Sequence, residues 1–211
     1  MSSEIFKWMP HSLSDNKRDI SFNTVKTEYE NGMIQRRNRF GRETGLWSFT
    51  YIMGLYAPHE GRKLRDEILS FFRARKGSYD NFYLPSWELE TEVVDVSSGK
   101  IIWVKENPAN LGFSATSGDY GNFIYICDHY YRGNEGKANT NEVGKIKSMV
   151  AGSGKFKITL VSSLINSYSV GAKVMKAAKV FFNNDSLERA FMNPHAYTVT
   201  IEFMEDIADL Y

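Results

Sequence analysis

The chain has 211 residues, 42% hydrophobic and 24% charged, enough to bury a core as one large domain or two small ones. Its net charge of +1 gives no global field toward nucleic acid or anionic lipid, and its single cysteine, Cys127, excludes an internal disulfide and a Cys-rich zinc site. No apolar run approaches the roughly 20 residues of a membrane span, and the N-terminus lacks the apolar core of a signal peptide, so synthesis and assembly in a cytoplasm are expected.

Residues 1–20 read as a polar arm with scattered large side chains, Ile5, Phe6, Trp8 and Met9, of the kind that docks on its own domain or on a neighbour. Ser21 to Arg37 reads as a hairpin, two strand-forming runs about the "ENG" turn at Glu30–Gly32. In "LWSFTYIMGLY", Trp47, Phe49, Tyr51, Met53 and Leu55 alternate with smaller or polar residues, the period of a strand with one buried face. Pro58 suits a helical first turn, and Leu64, Ile68, Phe71 and Phe72 recur at helical spacing. Arg73, Arg75 and Lys76 favour the negative end of the helix dipole, and Gly77 is expected at the left-handed C′ position, so the helix spans about 58–76. Phe71 and Phe72 are expected fully buried against the sheet, Gly77 reverses the chain, and "YDNFYLP" follows as a short extended segment ended by Pro85.

From Trp87 the texture changes. "ETEVVDVSSGKIIWV" predicts a hairpin, "FIYICDHYY" a strand, residues 132–141 a polar loop, and "KIKSMVAGSGKFKITLV" a second hairpin. "GAKVMKAAKVFF" is ambiguous between helix and strand and is read as strand. The chain closes on "AYTVTIEFMED", where Tyr197, Val199, Ile201 and Phe203 alternate with Thr198, Thr200 and Glu202. That pattern matches the strands before residue 57. The expected architecture is therefore mainly β with one amphipathic helix: residues 1–86 plus 186–211 make one β domain, and residues 87–185 a small inserted all-β domain.

Chemistry-bearing motifs are sparse. His11, His59, His129 and His195 lack metal-like spacing, and no HExxH, G-x-S-x-G or Walker loop is present. "GRETG" at Gly41–Gly45 precedes a strand, "GSGK" at Gly152 sits in a hairpin turn, and Cys127 lies in an apolar run as a buried, inert thiol. Glu88, Glu90 and Glu92 fall on one strand face, where charges discourage unwanted pairing more readily than they form an acid–base pair. Neither catalysis, a cofactor nor a metal is expected. The basic clusters Arg36, Arg37, Arg39, Arg42 and Arg73, Arg75, Lys76 point to salt bridges or subunit contacts.

The order of these pieces resembles the distal tail and minor tail proteins of long-tailed bacteriophages and gene transfer agents. The residues that carry the resemblance are Gly32, Gln35 and Arg36 before a strand, then Phe71, Phe72, Ala74, Arg75, Gly77, Phe82 and Pro85 across the helix exit. It covers the first 86 or so residues and about the last 20; the arm is longer than in that group, and no motif matches the middle. The resemblance implies a tail-tube-like β-barrel or sandwich and a hexameric ring joining the tail tube to the hub or baseplate and adhesion apparatus. It implies a place in the virion, DNA passing through the lumen without specific binding, and no membrane insertion. Trp8, Trp47 and the arginines Arg36, Arg37, Arg73 and Arg75 are the expected anchors of such contacts. An alternative reading makes residues 87–185 a carbohydrate- or receptor-binding module, with Trp103, Tyr130 and Tyr131 stacking on sugars.

Overall fold

The computed structural model describes residues 4–10, 16–21, 24–28, 34–38, 44–53, 58–116, 121–130, 140–152, 154–187, 189–193 and 196–206. Among the described residues the chain is mainly β with one α-helix. In order the elements are β1 (Lys17–Ser21), β2 (Thr24–Glu28), β3 (Ile34–Asn38), β4 (Thr44–Met53), α1 (Pro58–Ala74), β5 (Phe82–Ser98) and β6 (Ile101–Val104). A 3-10 turn (Pro108–Leu111) follows, then β7 (Phe123–Cys127), β8 (Asn141–Ala151), β9 (Phe156–Leu160), β10 (Lys173–Phe182), β11 (Arg189–Asn193) and β12 (Ala196–Glu205).

All of the strands except β2 and β3 join one antiparallel sheet, in the order β1-β4-β12-β10-β5-β6-β9-β8-β7, with β11 against β12. β4 and β12, from opposite ends of the sequence, are neighbours near one end of this order. β12 runs beside β4 from Tyr197↔Met53 to Met204↔Leu46, which puts Val199, Ile201 and Phe203 on the same face as Phe49, Tyr51 and Trp47. Leu64 and Ile68 of α1 are buried against that face. β2 and β3 pair as a separate hairpin, Thr24↔Asn38 to Glu28↔Ile34. The turn "ENG" with Gly32 lies outside the described residues.

The expected boundary at 86/87 falls inside β5, and the one at 185/186 falls in the loop between β10 and β11. β5 runs unbroken through the first, pairing with β10 by its first half and with β6 by its second. β10 carries β5 on one edge and, on the other, β7 at Lys173–Ala177 and then β12 at Val180–Phe182. The pairings β10-β5-β6-β9-β8-β7-β10 thus close on themselves, around a core of Val93, Ile102, Val104, Ile124, Ile126, Ile158, Leu160 and Val174. Ala178, Val180 and Phe182, from the same strand, sit instead in the core under α1. Residues two apart share a face of a strand, and here the face of β10 that carries Val174 to Phe182 serves two cores in succession, while Met175 and Ala177 on its other face join a third buried cluster.

The N-terminal segment is not a free arm. Phe6 is fully buried and its ring lies 4.9–6.2 Å from those of Trp8, Phe203, Phe71, Tyr51, Phe82 and Phe182. The Phe6 amide donates to the Tyr83 carbonyl at 2.8 Å and the Tyr83 amide to the Glu4 carbonyl at 2.9 Å, so the segment also covers an edge of β5. Trp8 and Trp47, expected as interface anchors, are 4% and 2% exposed and belong to this core.

Candidate functional site

The residues singled out in the sequence converge on the joint where α1 turns back into β5. The helix ends in paired reverse bonds: the Lys76 amide donates to the Arg73 carbonyl at 3.1 Å and the Gly77 amide to the Phe72 carbonyl at 3.2 Å. This is the Schellman pattern with Lys76, not Gly77, at C′. Lys76 takes φ +53° and Gly77, one residue later, φ +65°. Gly77 is required by space as well, because a Cβ there would come 2.7 Å from Asp185 Oδ1. That carboxylate accepts from the Ser78 amide at 2.9 Å and from Ser78 Oγ at 2.5 Å, fastening the helix exit to the loop after β10. The two Ser78 bonds hold the Asp185 carboxyl below its usual range.

Phe71 and Phe72 are half-buried rather than fully buried, since both lie in the last turn, where the helix leaves the sheet. Phe71 packs edge-on to Phe6, Trp8, Phe82 and Phe182; Phe72 meets Phe182 at 4.8 Å. Arg75 pairs with Glu4 and lies 5.8 Å over the Phe71 ring, so it ties the helix to the N-terminal segment. Arg73 is exposed. Phe82 is buried opposite Val180, and Pro85 is buried opposite Ala177.

Past Pro85 the ladder breaks. Between Ala177↔Pro85 and Met175↔Glu90, residues 86–89 of β5 face the single residue Lys176, and Trp87 is held at φ +55°. Lys176 is buried between the two cores, with Val174 before it and Ala178 after it on the same face. Its ammonium lies 3.6 Å from Glu88, and Glu88 in turn lies 3.8 Å from Arg18. Burial lowers the Lys176 pKa, opposed by Glu88 and reinforced by Arg18. Glu90 and Glu92 both reach Lys173, at 3.3 and 2.6 Å. The Lys173 bond lowers the Glu92 carboxyl and raises the Lys173 ammonium. The three glutamates therefore serve as ion-pair partners of β1 and β10.

Arg36 and Arg37 lie in β3 opposite Lys26 and Val25, away from this joint in the pairing scheme. Gly32, Arg39, Arg42, His11, His195 and Tyr131 lie outside the described residues. Gly45, the second glycine of "GRETG", is required because a Cβ there would come 2.5 Å from the Trp47 indole folded over it. Cys127 is buried and its thiol is pushed up to about 12 by desolvation. Among the described residues no group of three or more His, Cys, Asp or Glu side chains could hold a metal, and no helix is long and apolar enough to cross a membrane. Of the proposed sugar platforms, Trp103 carries Lys155 at 4.4 Å over its ring, and Tyr130 is half-buried, its ring 6.0 Å from that of Trp87.

One contributor to the joint went unread in the sequence, Asp185, and Phe6 was read there only as one large residue of a docking arm. Phe6 had a signal: Phe6, Trp8 and Pro10 are buried at period two while their neighbours are not. Asp185 had none, because its partner is 107 residues away. No family model matches the chain, and no curated protein matches it in sequence.

Proposed function

We propose that this chain is a structural subunit of a long-tailed bacteriophage tail tip, of the distal tail kind, and that copies of it close into a hexameric ring. The ring joins the tail tube to the hub and adhesion apparatus around the DNA channel. The observation that carries the reading is the pairing of β12 with β4 over eight register positions. It makes the N- and C-terminal segments one sheet backed by α1, the frame the resemblance implies for a ring subunit. Support also comes from the ion-paired state of Glu88, Glu90 and Glu92, which are occupied with holding strands together. The contacts of a ring fall to β1, the β2–β3 hairpin and exposed Arg73, because Trp8 and Trp47 are used inside the subunit. A closed ring uses heterologous contacts, in which different surfaces of one subunit meet.

Native mass spectrometry and negative-stain imaging of the purified chain test this reading. A hexamer seen as a ring with an open centre is expected. A chain that stays monomeric up to its solubility limit, and that does not join tail tubes when mixed with them, would overturn it.

A further inference from the structure

The segment between β9 and β10 holds apolar side chains at the surface. Residues 161–171, "VSSLINSYSVG", contain no charged residue in a chain that is 24% charged. Leu164 and Tyr168 anchor the segment in the core of the closed circuit. Glu142 clasps it from β8, accepting from the Ile165 and Asn166 amides at 2.7 Å each, from Asn166 Nδ2 at 2.7 Å and from Tyr168 Oη at 3.2 Å. The Leu164 amide donates to the Gly99 carbonyl at 2.7 Å and the Gly171 amide to the Val93 carbonyl at 2.8 Å. Held this way, the segment leaves Ile165 83%, Val170 66% and Val161 47% exposed, three of the seven large exposed hydrophobics among the described residues. Ile165 stands on the rim of a groove of about 540 Å³, whose apolar walls include Ile5, Tyr83, Phe123, Val143 and Leu160.

A projecting knob beside its own hole is the arrangement a two-fold axis needs: the knob of each copy enters the hole of the other. Lack of charge on the segment favours the same answer. A charged patch meets its own like charge across a two-fold, whereas an uncharged apolar one does not. The groove itself carries one acid, Glu142, and one base, Lys145, which lies 5.9 Å over the Phe123 ring. We infer that this surface is a self-complementary contact with a second copy of the chain, Ile165 of each copy seating in the groove of the other. A segment of this size falls short of the roughly 20–30 residues a side of a standard interface, so the contact is weak and concentration-dependent. It is separate from the ring contacts proposed above.

Sedimentation equilibrium of the full chain, compared with Ile165→Asp and with Tyr79→Asp as a control, tests the inference. Tyr79 is 77% exposed at the helix exit, so the control adds the same charge elsewhere. Wild-type chain and Tyr79→Asp should share one concentration-dependent doubling of mass, and Ile165→Asp should weaken it roughly tenfold or more with an unchanged melting temperature. If the ring reading fails, the doubling is seen from monomer to dimer; if this inference fails, rings or monomers are seen without doubling. Equal association by wild-type and Ile165→Asp chains, or no doubling in either, would overturn it.

Discussion

At the scale of single residues, the helix exit holds one position that runs against intrinsic preference. Lys76 occupies the left-handed C′ site at φ +53°, where the Cβ of an L-residue crowds the next carbonyl at a cost of about 1–2 kcal/mol. Its ammonium returns a little by lying 5.1 Å over Tyr79. Lys76→Gly is expected to raise the unfolding free energy by about 0.5–1 kcal/mol once the greater freedom of unfolded glycine is subtracted, read as a higher urea midpoint; Lys76→Val should lower both. Asp185 gives a second residue-level outcome, in pH. Its folded pKa is depressed by Ser78, so the folded chain binds fewer protons than the unfolded chain between the two values. The stability it contributes is present above the unfolded pKa of about 3.9 and drains away as pH falls through the lowered folded value. Urea titrations between pH 5 and pH 2.5 should show Asp185→Asn losing less stability over that interval than wild type.

At the scale of elements, α1 is held along its length by buried Leu64 and Ile68 and at its last turn by Phe71 and Phe72. The two phenylalanines differ in what they touch: Phe71 meets four aromatic rings and the Arg75 guanidinium, whereas Phe72 meets Phe182. Phe71→Ala is therefore expected to cost about 3–4 kcal/mol and Phe72→Ala about 2 kcal/mol in equilibrium unfolding. Equal losses would mean that the N-terminal segment does not hold the helix as its rings indicate. The same contacts explain the N-terminal segment. Its Phe6 and Trp8 fill the space between α1 and the sheet, and Tyr51 Oη donates to the Trp8 carbonyl at 3.1 Å, fixing the segment in depth. Burial in turn holds the Tyr51 phenol well above its ordinary range.

At the scale of the whole molecule, β5 and β10 make the two cores one mechanical body. Ala178, Val180 and Phe182 belong to the helix-backed core, and Val174, four residues before Ala178, belongs to the closed circuit. Neither core can open without pulling on a strand of the other. Urea unfolding followed by far-UV ellipticity and by tryptophan fluorescence is expected to give one coincident transition. Phe182→Ala should shift both signals together, by about 3–5 kcal/mol. Two separated transitions would show that the halves fold independently. In the ring proposed above, force applied to the middle segment would reach the terminal sheet through these continuous strands.

Local pattern alone determined the elements: the period-two runs at Trp47–Tyr51 and Tyr197–Phe203, the helical spacing of Leu64, Ile68, Phe71 and Phe72, and the glycines Gly99, Gly152 and Gly154 between strands all lie where the sequence puts them. Such patterns are legible because side-chain direction follows from a few neighbouring torsions. The partnership of β4 with β12 was legible too, since each offers one strongly apolar face, although β12 also takes β10 and β11 as partners. The tertiary structure alone decided what lies between matching patterns. It put Phe6 at the centre of the aromatic core, moved C′ from Gly77 to Lys76, gave Asp185 to Ser78, and divided one face of β10 between two cores. Each of these depends on where the chain returns after tens of residues, and closing such loops is governed by the summed packing of the molecule rather than by any local spacing.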